Sequence, residues 1–137
     1  MNQNDEKAKD SIFGEVIYTY TRKQAVKDGH QILLTGDNAD LAKDIGWKYP
    51  VYFTKAVWDL IEHSAAFEND PNDMTGILWD FLMLARFGQD ITEDIRKFYV
   101  TINKNGRPRR HLFYLQVGPT DIDDPSPALT IMQEEDR

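Results

Sequence analysis

The 137-residue chain contains no cysteine, which excludes disulfide staples, thiolate nucleophiles and cysteine-held zinc or iron. It has no apolar run of about 18 residues, the length a membrane-spanning helix needs. Its opening, Met1-Asn2-Gln3-Asn4-Asp5-Glu6-Lys7, is polar and lacks the apolar stretch of a secretory signal. The expected address is the cytoplasm, and no membrane partner is expected. His-Glu-x-x-His and calcium-loop patterns are missing, and none of Ser11, Ser64 and Ser126 sits in a Gly-x-Ser-x-Gly turn. The eight glycines fall mostly at expected helix ends and turns, not in a phosphate-cradling loop. Of His30, His63 and His111, only His63 has an acid at helical spacing, Asp59, and that pair reads as a surface contact. Acid pairs such as Asp40 and Asp44, Asp59 and Glu62, or Asp123 and Asp124 are ordinary in a chain with 23 acids. General acid–base work needs a shared, partly buried site, which sequence spacing does not supply. The sequence therefore offers no catalytic, cofactor-binding or metal-binding residue, and no cofactor is expected.

Apolar residues make up 41% of the chain and aromatics 12%, enough to build a core without a metal or a disulfide. The formal net charge is −7, but the charges are unevenly placed. Arg96, Lys97, Lys104, Arg107, Arg109 and Arg110 follow one another without an intervening acid. Asp121, Asp123, Asp124, Glu134, Glu135 and Asp136 then crowd the last stretch, with Arg137 as its one base. The picture is an acidic body bearing one basic hairpin.

Thr75–Gly88 is the stretch around which the rest is organised. Nine of the eleven residues from Ile77 to Phe87 are apolar, broken only by Asp80 and Arg86. A helix apolar on all sides is expected to be buried on all sides. Before it, residues 1–10 read as a disordered segment, and Val16-Ile17-Tyr18-Thr19-Tyr20 as a strand or extended arm. Thr21 and Gln24 fit a capping box for a helix Arg22–Asp28 closed by Gly29. Ile32-Leu33-Leu34 is a short extended run; Asp37 or Asn38 caps a helix Ala39–Ile45 ended by Gly46. Val51-Tyr52-Phe53 is brief and apolar, and Thr54 caps an amphipathic helix Lys55–Ser64. Glu68–Asp73 reads as a polar loop, and Asp73 or Thr75 caps the central helix.

Beyond it the pattern changes to period two. Phe98, Val100 and Ile102 alternate with Lys97, Tyr99 and Thr101; Phe113, Leu115 and Val117 alternate with Leu112, Tyr114 and Gln116. Asn105-Gly106 is a hairpin turn, although Pro108 predicts a longer loop than the minimal one. Gly118-Pro119 is expected to break the second strand, Ile122–Pro127 to form an acidic loop, and Ala128–Gln133 to form a third strand. The expected fold is α+β: a single domain over residues 11–134 with a frayed acidic tail 135–137. Its central helix and shorter helices pack on a three-stranded antiparallel C-terminal meander.

For function, the hairpin is the sharpest local feature. Arg107, Arg109 and Arg110 surround the turn, and Tyr99 and Tyr114 share the outer face. Arginines beside aromatics suit either a nucleic-acid surface or an acidic protein surface. Asp121, Asp123 and Asp124 are the acidic counterpart, and acids spread over a compact surface can also imitate a phosphate backbone. These eight residues are the candidate partner-binding set. A homodimer through one flank of the central helix is compatible with each reading.

Ile12-Phe13-Gly14, Val16-Ile17, Tyr20-Thr21-Arg22, Ala25 and Gly29 form a recognisable series. Ala42, Gly46, Tyr49-Pro50-Val51, Thr54, Val57-Trp58, Trp79-Asp80, Leu82-Met83-Leu84 and Val117-Gly118-Pro119 extend it, as do Leu129-Thr130-Ile131-Met132 and Glu135-Asp136. In these framework positions the chain resembles a family of short proteins of unknown function encoded on bacterial plasmids, integrative elements and phages. The resemblance brings no catalytic motif. It implies a mobile-element setting, in which short acidic proteins often bind and block host defence machinery such as CRISPR effectors and restriction enzymes. The expectation is a non-enzymatic binding protein acting by stoichiometric contact with a host-defence or nucleic-acid-processing complex. The alternative is a small nucleic-acid-binding accessory protein that uses the basic hairpin.

Overall fold

The computed structural model describes residues 20–67 and 73–137. The expected disordered start and the strand Val16–Tyr20, save Tyr20 itself, lie outside the described residues, as does most of the loop Glu68–Asp73. In chain order the elements are α1 (Arg22–Lys27), β1 (Gln31–Leu33), α2 (Gly36–Ile45), β2 (Val51–Thr54), α3 (Lys55–Ala66) and α4 (Met74–Arg86). There follow β3 (Gln89–Asp90), β4 (Ile95–Lys104), β5 (Arg107–Asp121), β6 (Asp124–Met132) and a single 3-10 turn, Glu134–Asp136.

The helix boundaries follow local chemistry. Thr21 Oγ1 accepts the Gln24 N–H at 3.0 Å and Gln24 Oε1 accepts the Thr21 N–H at 3.1 Å, completing the expected capping box of α1. Thr54 Oγ1 takes the Val57 N–H at the head of α3. Asp73 Oδ1 takes the Gly76 N–H at 2.9 Å, so Asp73, not Thr75, caps α4. α2 begins at Gly36, ahead of the expected start, with Thr35 at its N-cap and no side-chain bond there. It ends at Gly46, whose φ of 114° closes the helix in the left-handed region.

The sheet has six strands in the order β1-β2-β6-β5-β4-β3, not the three of a C-terminal meander. All neighbours are antiparallel except β2 and β6, which pair in parallel with Val51 opposite Leu129 and Phe53 opposite Ile131. The expectation fell short because β1, β2 and β3 are two to four residues long. Runs that short carry no readable alternation; only the ladder to β6 reveals β2 as a strand. β5 also runs through Gly118-Pro119, which pair with Ala128 and Pro127, and bends at a register shift between Pro119 and Asp121. The expected acidic loop is mostly strand, since β6 opens at Asp124. The Asn105-Gly106 turn is the minimal one, both residues lying at positive φ (54° and 86°). Pro108 fits there because it falls opposite Asn103 at a position that does not exchange ladder bonds with β4.

One face of the sheet carries Phe53, Phe98, Phe113 and Ile131 under helices α3 and α4. Phe81 of α4 stands among them, its ring 4.7 Å from Phe113, 6.2 Å from Phe53 and 6.3 Å from Phe98, centre to centre. α2 packs beside α4, and Trp47 Nε1 donates to the Leu82 carbonyl at 3.1 Å. The other face is crossed by α1 at the β1–β2 side. Arg22 there donates to the Thr120 carbonyl (2.7 Å), Gln31 Oε1 (2.8 Å) and Thr130 Oγ1 (2.9 Å), and its guanidinium lies 4.2 Å from the Tyr52 ring centre.

α4 is buried on one side only. Ile77, Leu78, Phe81, Leu82 and Ala85 face inward, whereas Trp79, Leu84 and Phe87 remain exposed, Phe87 at 74%. The all-round apolar pattern is thus half core and half surface, which corrects the expectation of a fully enclosed helix. Phe81→Ala should cost about 3–5 kcal/mol in urea unfolding, because it empties the centre of the core. Phe87→Ala, on the exposed flank of the same helix, should stay within about 0.5 kcal/mol of the parent.

Candidate functional site

β4 and β5 form a long ribbon, with pairs running from Ile95 opposite Gln116 to Lys104 opposite Arg107. β6 covers β5 only from Tyr114 onward, so the Asn105-Gly106 end projects as two strands. The tip is braced from α3: the Phe67 ring lies against Gly106, where an added Cβ would come within 2.9 Å of it. Ser64 Oγ accepts the Asn103 N–H at 3.0 Å, and Asn103 Oδ1 accepts the Gly106 N–H at 2.7 Å.

The structure divides the predicted residues. Strand alternation places Arg110 and Tyr99 on the face opposite the helices, with the guanidinium 3.9 Å from the ring centre. Arg107 and Arg109 alternate to the helix side, so the three arginines do not form one basic face. All three are exposed, and no ion pair among the described residues engages them. Tyr114 shares the face of Tyr99 but is buried. Its hydroxyl donates to Glu134 at 2.6 Å and Arg137 lies over its ring at 4.3 Å, which anchors the C-terminal turn. It is a structural tyrosine, not an exposed one, and the Glu134 carboxylate raises the pKa of its hydroxyl.

The acids sit at the other end of β5, roughly 45 Å from the tip at about 3.3 Å per residue. Asp121 accepts the backbone N–H groups of Arg22 (3.1 Å), Lys23 (2.9 Å) and Ile122 (2.8 Å). Those N–H groups, Ile122 foremost, hold its carboxylate below the usual range, so Asp121 serves as an external cap that docks α1 on the sheet. Asp124 is occupied by the Ser126 N–H and hydroxyl, at 3.0 and 2.6 Å, and is likewise lowered. Asp123 is exposed at the turn.

Two arginines of the central region are also structural. Arg96 donates to the Arg86 carbonyl at 2.8 Å and to Asp90 at 2.8 Å, closing the C-terminus of α4. Arg86 in turn donates to the Ile45 carbonyl at the end of α2. Asp59, expected beside His63, instead pairs with Lys55 one turn earlier at 2.7 Å. No cluster of histidine and carboxylate groups suited to a metal occurs among the described residues.

Sequence reasoning weighed a flank of the central helix as a contact surface but missed that this flank meets the ribbon in one groove. Asp80 and Leu84 fall at i and i+4 along α4, and Phe87 follows as its C-cap. An open groove of about 400 Å³ is lined by Leu84, Phe87, Gly88, Gln89 and, from β4 and β5, Lys97, Phe98, Tyr99 and Arg110. Burial raises the pKa of Asp80. A second hollow, about 350 Å³, lies between α2 and the approach to β2. Its lining, which includes Leu34, Ala42, Trp47 and Val51, is mostly apolar, with Lys43 and Lys48 at the rim. The signal for the first groove was the apolar helix itself, but only packing distinguishes its exposed stripe from its buried one.

No family model, curated protein or solved structure matches the chain. No helix among the described residues is long and apolar enough to cross a membrane.

Among the perturbed acids, Asp121 and Asp80 have opposite signatures. Asp121 is depressed in the fold, so its stabilisation is full at neutral pH and fades as pH falls through its folded value. Asp121→Asn should lower the melting temperature at pH 7, with the gap narrowing near pH ~3. Asp80 is raised, so its charged form is disfavoured by the fold at neutral pH. Asp80→Asn should raise the melting temperature at pH 7 and make little difference at pH ~3. Thermal melts followed by circular dichroism at both pH values check both signs.

Proposed function

We propose that this protein acts by stoichiometric contact, without catalysis, and that the contact surface is the exposed flank of α4 together with the neighbouring face of the β4–β5 ribbon. The observation that carries this reading is the meeting of Leu84 and Phe87 with Lys97, Tyr99 and Arg110 around one groove. Exposed large apolar side chains beside basic groups that no ion pair engages among the described residues suit a protein partner that is apolar at its centre and acidic at its rim. On the family resemblance, that partner belongs to a host-defence or nucleic-acid-processing complex, and the protein is an inhibitor of the anti-CRISPR or anti-restriction type. A homodimer through the same flank would occupy the same apolar groups.

Nucleic-acid binding is the second reading, favoured by the exposed Arg107 and Arg109 at the ribbon tip. It is the weaker one for the ribbon face, because Arg110 already covers a face of the Tyr99 ring that a base would stack on. Imitation of DNA by the acidic turn is also weakened, since Asp121 and Asp124 are engaged internally.

Affinity purification from a bacterial host with the parent and with Phe87→Ser/Arg110→Glu should recover a saturable protein partner on the parent alone. Recovery of no saturable partner would overturn the reading. Gel shifts with single- and double-stranded DNA and RNA at low salt should show no complex. A shift abolished by Arg107→Ala/Arg109→Ala would instead establish the second reading.

A further inference from the structure

The groove follows a strand edge, and the register of the hairpin shows which backbone groups face it. In a two-residue turn of positive φ, the flanking pair, Lys104 and Arg107, exchanges both ladder bonds. Antiparallel alternation then turns the N–H and C=O of residues 95, 97, 99, 101 and 103 away from β5. Independent contacts agree with this parity. The Ile95 carbonyl accepts the Ile91 N–H at 2.8 Å, Lys97 pairs with Gln89 of β3, and the Asn103 N–H goes to Ser64 Oγ. Between those anchored ends, Tyr99 and Thr101 turn their N–H and C=O outward, and among the described residues nothing bonds them. On the opposite edge of the ribbon Pro108 has no N–H to offer.

The walls of the groove fit this edge. Phe98 belongs to the helix face of β4, and Lys97 and Tyr99 to the other face, yet all three line the same groove. Only a groove running along the strand's edge touches side chains of both faces. It opens beyond Gln89, the first residue of β3, where Gly88 and Phe87 lead back into α4, so an added segment would lie in line with β3 along β4.

We infer that the edge of β4 from Phe98 to Ile102 is a strand-addition site for a short extended segment of a protein partner, one in which acidic and apolar side chains alternate. This rests on the contact surface proposed above and adds the form of the partner. Side chains of an added strand point alternately to the two faces. Those on the helix side meet Leu84 and Phe87, which calls for an apolar residue. Those on the other side meet Lys97, Tyr99 and Arg110, which calls for an acid. Backbone bonds to Tyr99 and Thr101 supply attachment that is independent of sequence, and the two walls supply selectivity. A second copy of this chain is a poorer occupant, because pairing β4 with β4 brings two sets of Lys97, Lys104 and Arg110 together.

The probe is an eight-residue peptide of alternating Glu and Leu, titrated into the full chain and followed by NMR of the backbone amides. Binding should slow hydrogen exchange at Tyr99 and Thr101 while leaving the inward amides of Val100 and Ile102 as they were. Thr101→Pro removes one outward donor but no ladder bond to β5, and should weaken the peptide about tenfold. Phe87→Ser, on a residue that is 74% exposed and therefore safe for folding, should weaken it similarly. A peptide with Lys in place of Glu should not bind. The inference is overturned by absence of binding, by binding that leaves the Tyr99 and Thr101 amides unprotected, or by equal affinity for a peptide N-methylated at alternate residues. It is also overturned if those amides become protected with rising protein concentration alone, which would make a second copy the occupant. A partner lost in Phe87→Ser/Arg110→Glu but retained in Thr101→Pro would reject strand addition and leave the contact surface standing.

Discussion

The ring of Phe81 is the contact on which the rest of the structure depends. It touches Phe53 of β2, Phe98 of β4 and Phe113 of β5, so one side chain of α4 addresses strands that are distant in sequence. Burying that ring with Ile77, Leu78, Leu82 and Ala85 sets the rotation of α4 about its own axis. With the inward stripe chosen, Leu84 and Phe87 have nowhere to go but outward, over the edge of β4. The exposed apolar flank is thus a geometric consequence of the core and not an independent feature. A helix apolar all round has two candidate faces, and the sheet beneath it decides between them.

The insertion of β6 between β2 and β5 has a comparable role. Its parallel pairing with β2 joins the early helical half of the chain to the late ribbon in one sheet. Arg22 fastens the same junction from the opposite face, reaching Gln31, Thr120 and Thr130 while lying over Tyr52. Several charges that look available in the sequence are spent on this framework. Arg86 and Arg96 close helix ends, Asp121 docks α1, and Glu134 holds Tyr114. Subtracting them leaves Lys97, Lys104, Arg107, Arg109 and Arg110 as the basic groups of the ribbon, and Asp123 as the exposed acid of the far turn. The basic hairpin tip and the acidic Asp121–Asp124 turn are separate poles of β5, whereas the Glu134–Asp136 turn lies beside the middle of that strand, at His111 and Tyr114.

Much of the fold was legible where a local rule has a local cause. The Thr21–Gln24 capping box, the Thr54 and Asp73 caps, the closure at Gly46 and the Asn105-Gly106 turn each involve atoms within a few residues of one another. The alternation of Phe98, Val100 and Ile102 against Tyr99 and Thr101 was readable for the same reason. The candidate site was legible only in part. Tyr99 and Arg110 do come together on one face, but Arg107 and Arg109 alternate away and Tyr114 is buried by a carboxylate twenty residues further on.

The sequence by itself determined the α+β class, most of the helix caps, the hairpin turn at Asn105-Gly106 and the presence of a basic ribbon, because these arise from periodicity and from short-range hydrogen bonds. Only the tertiary structure decided the six-stranded order, the passage of β5 through Gly118-Pro119 and the exposure of Leu84 and Phe87. Those depend on which partner each strand finds across the chain. The edge at Tyr99 and Thr101 is of the same kind: that no described residue bonds its outward backbone groups becomes visible only when the other strands have taken their places.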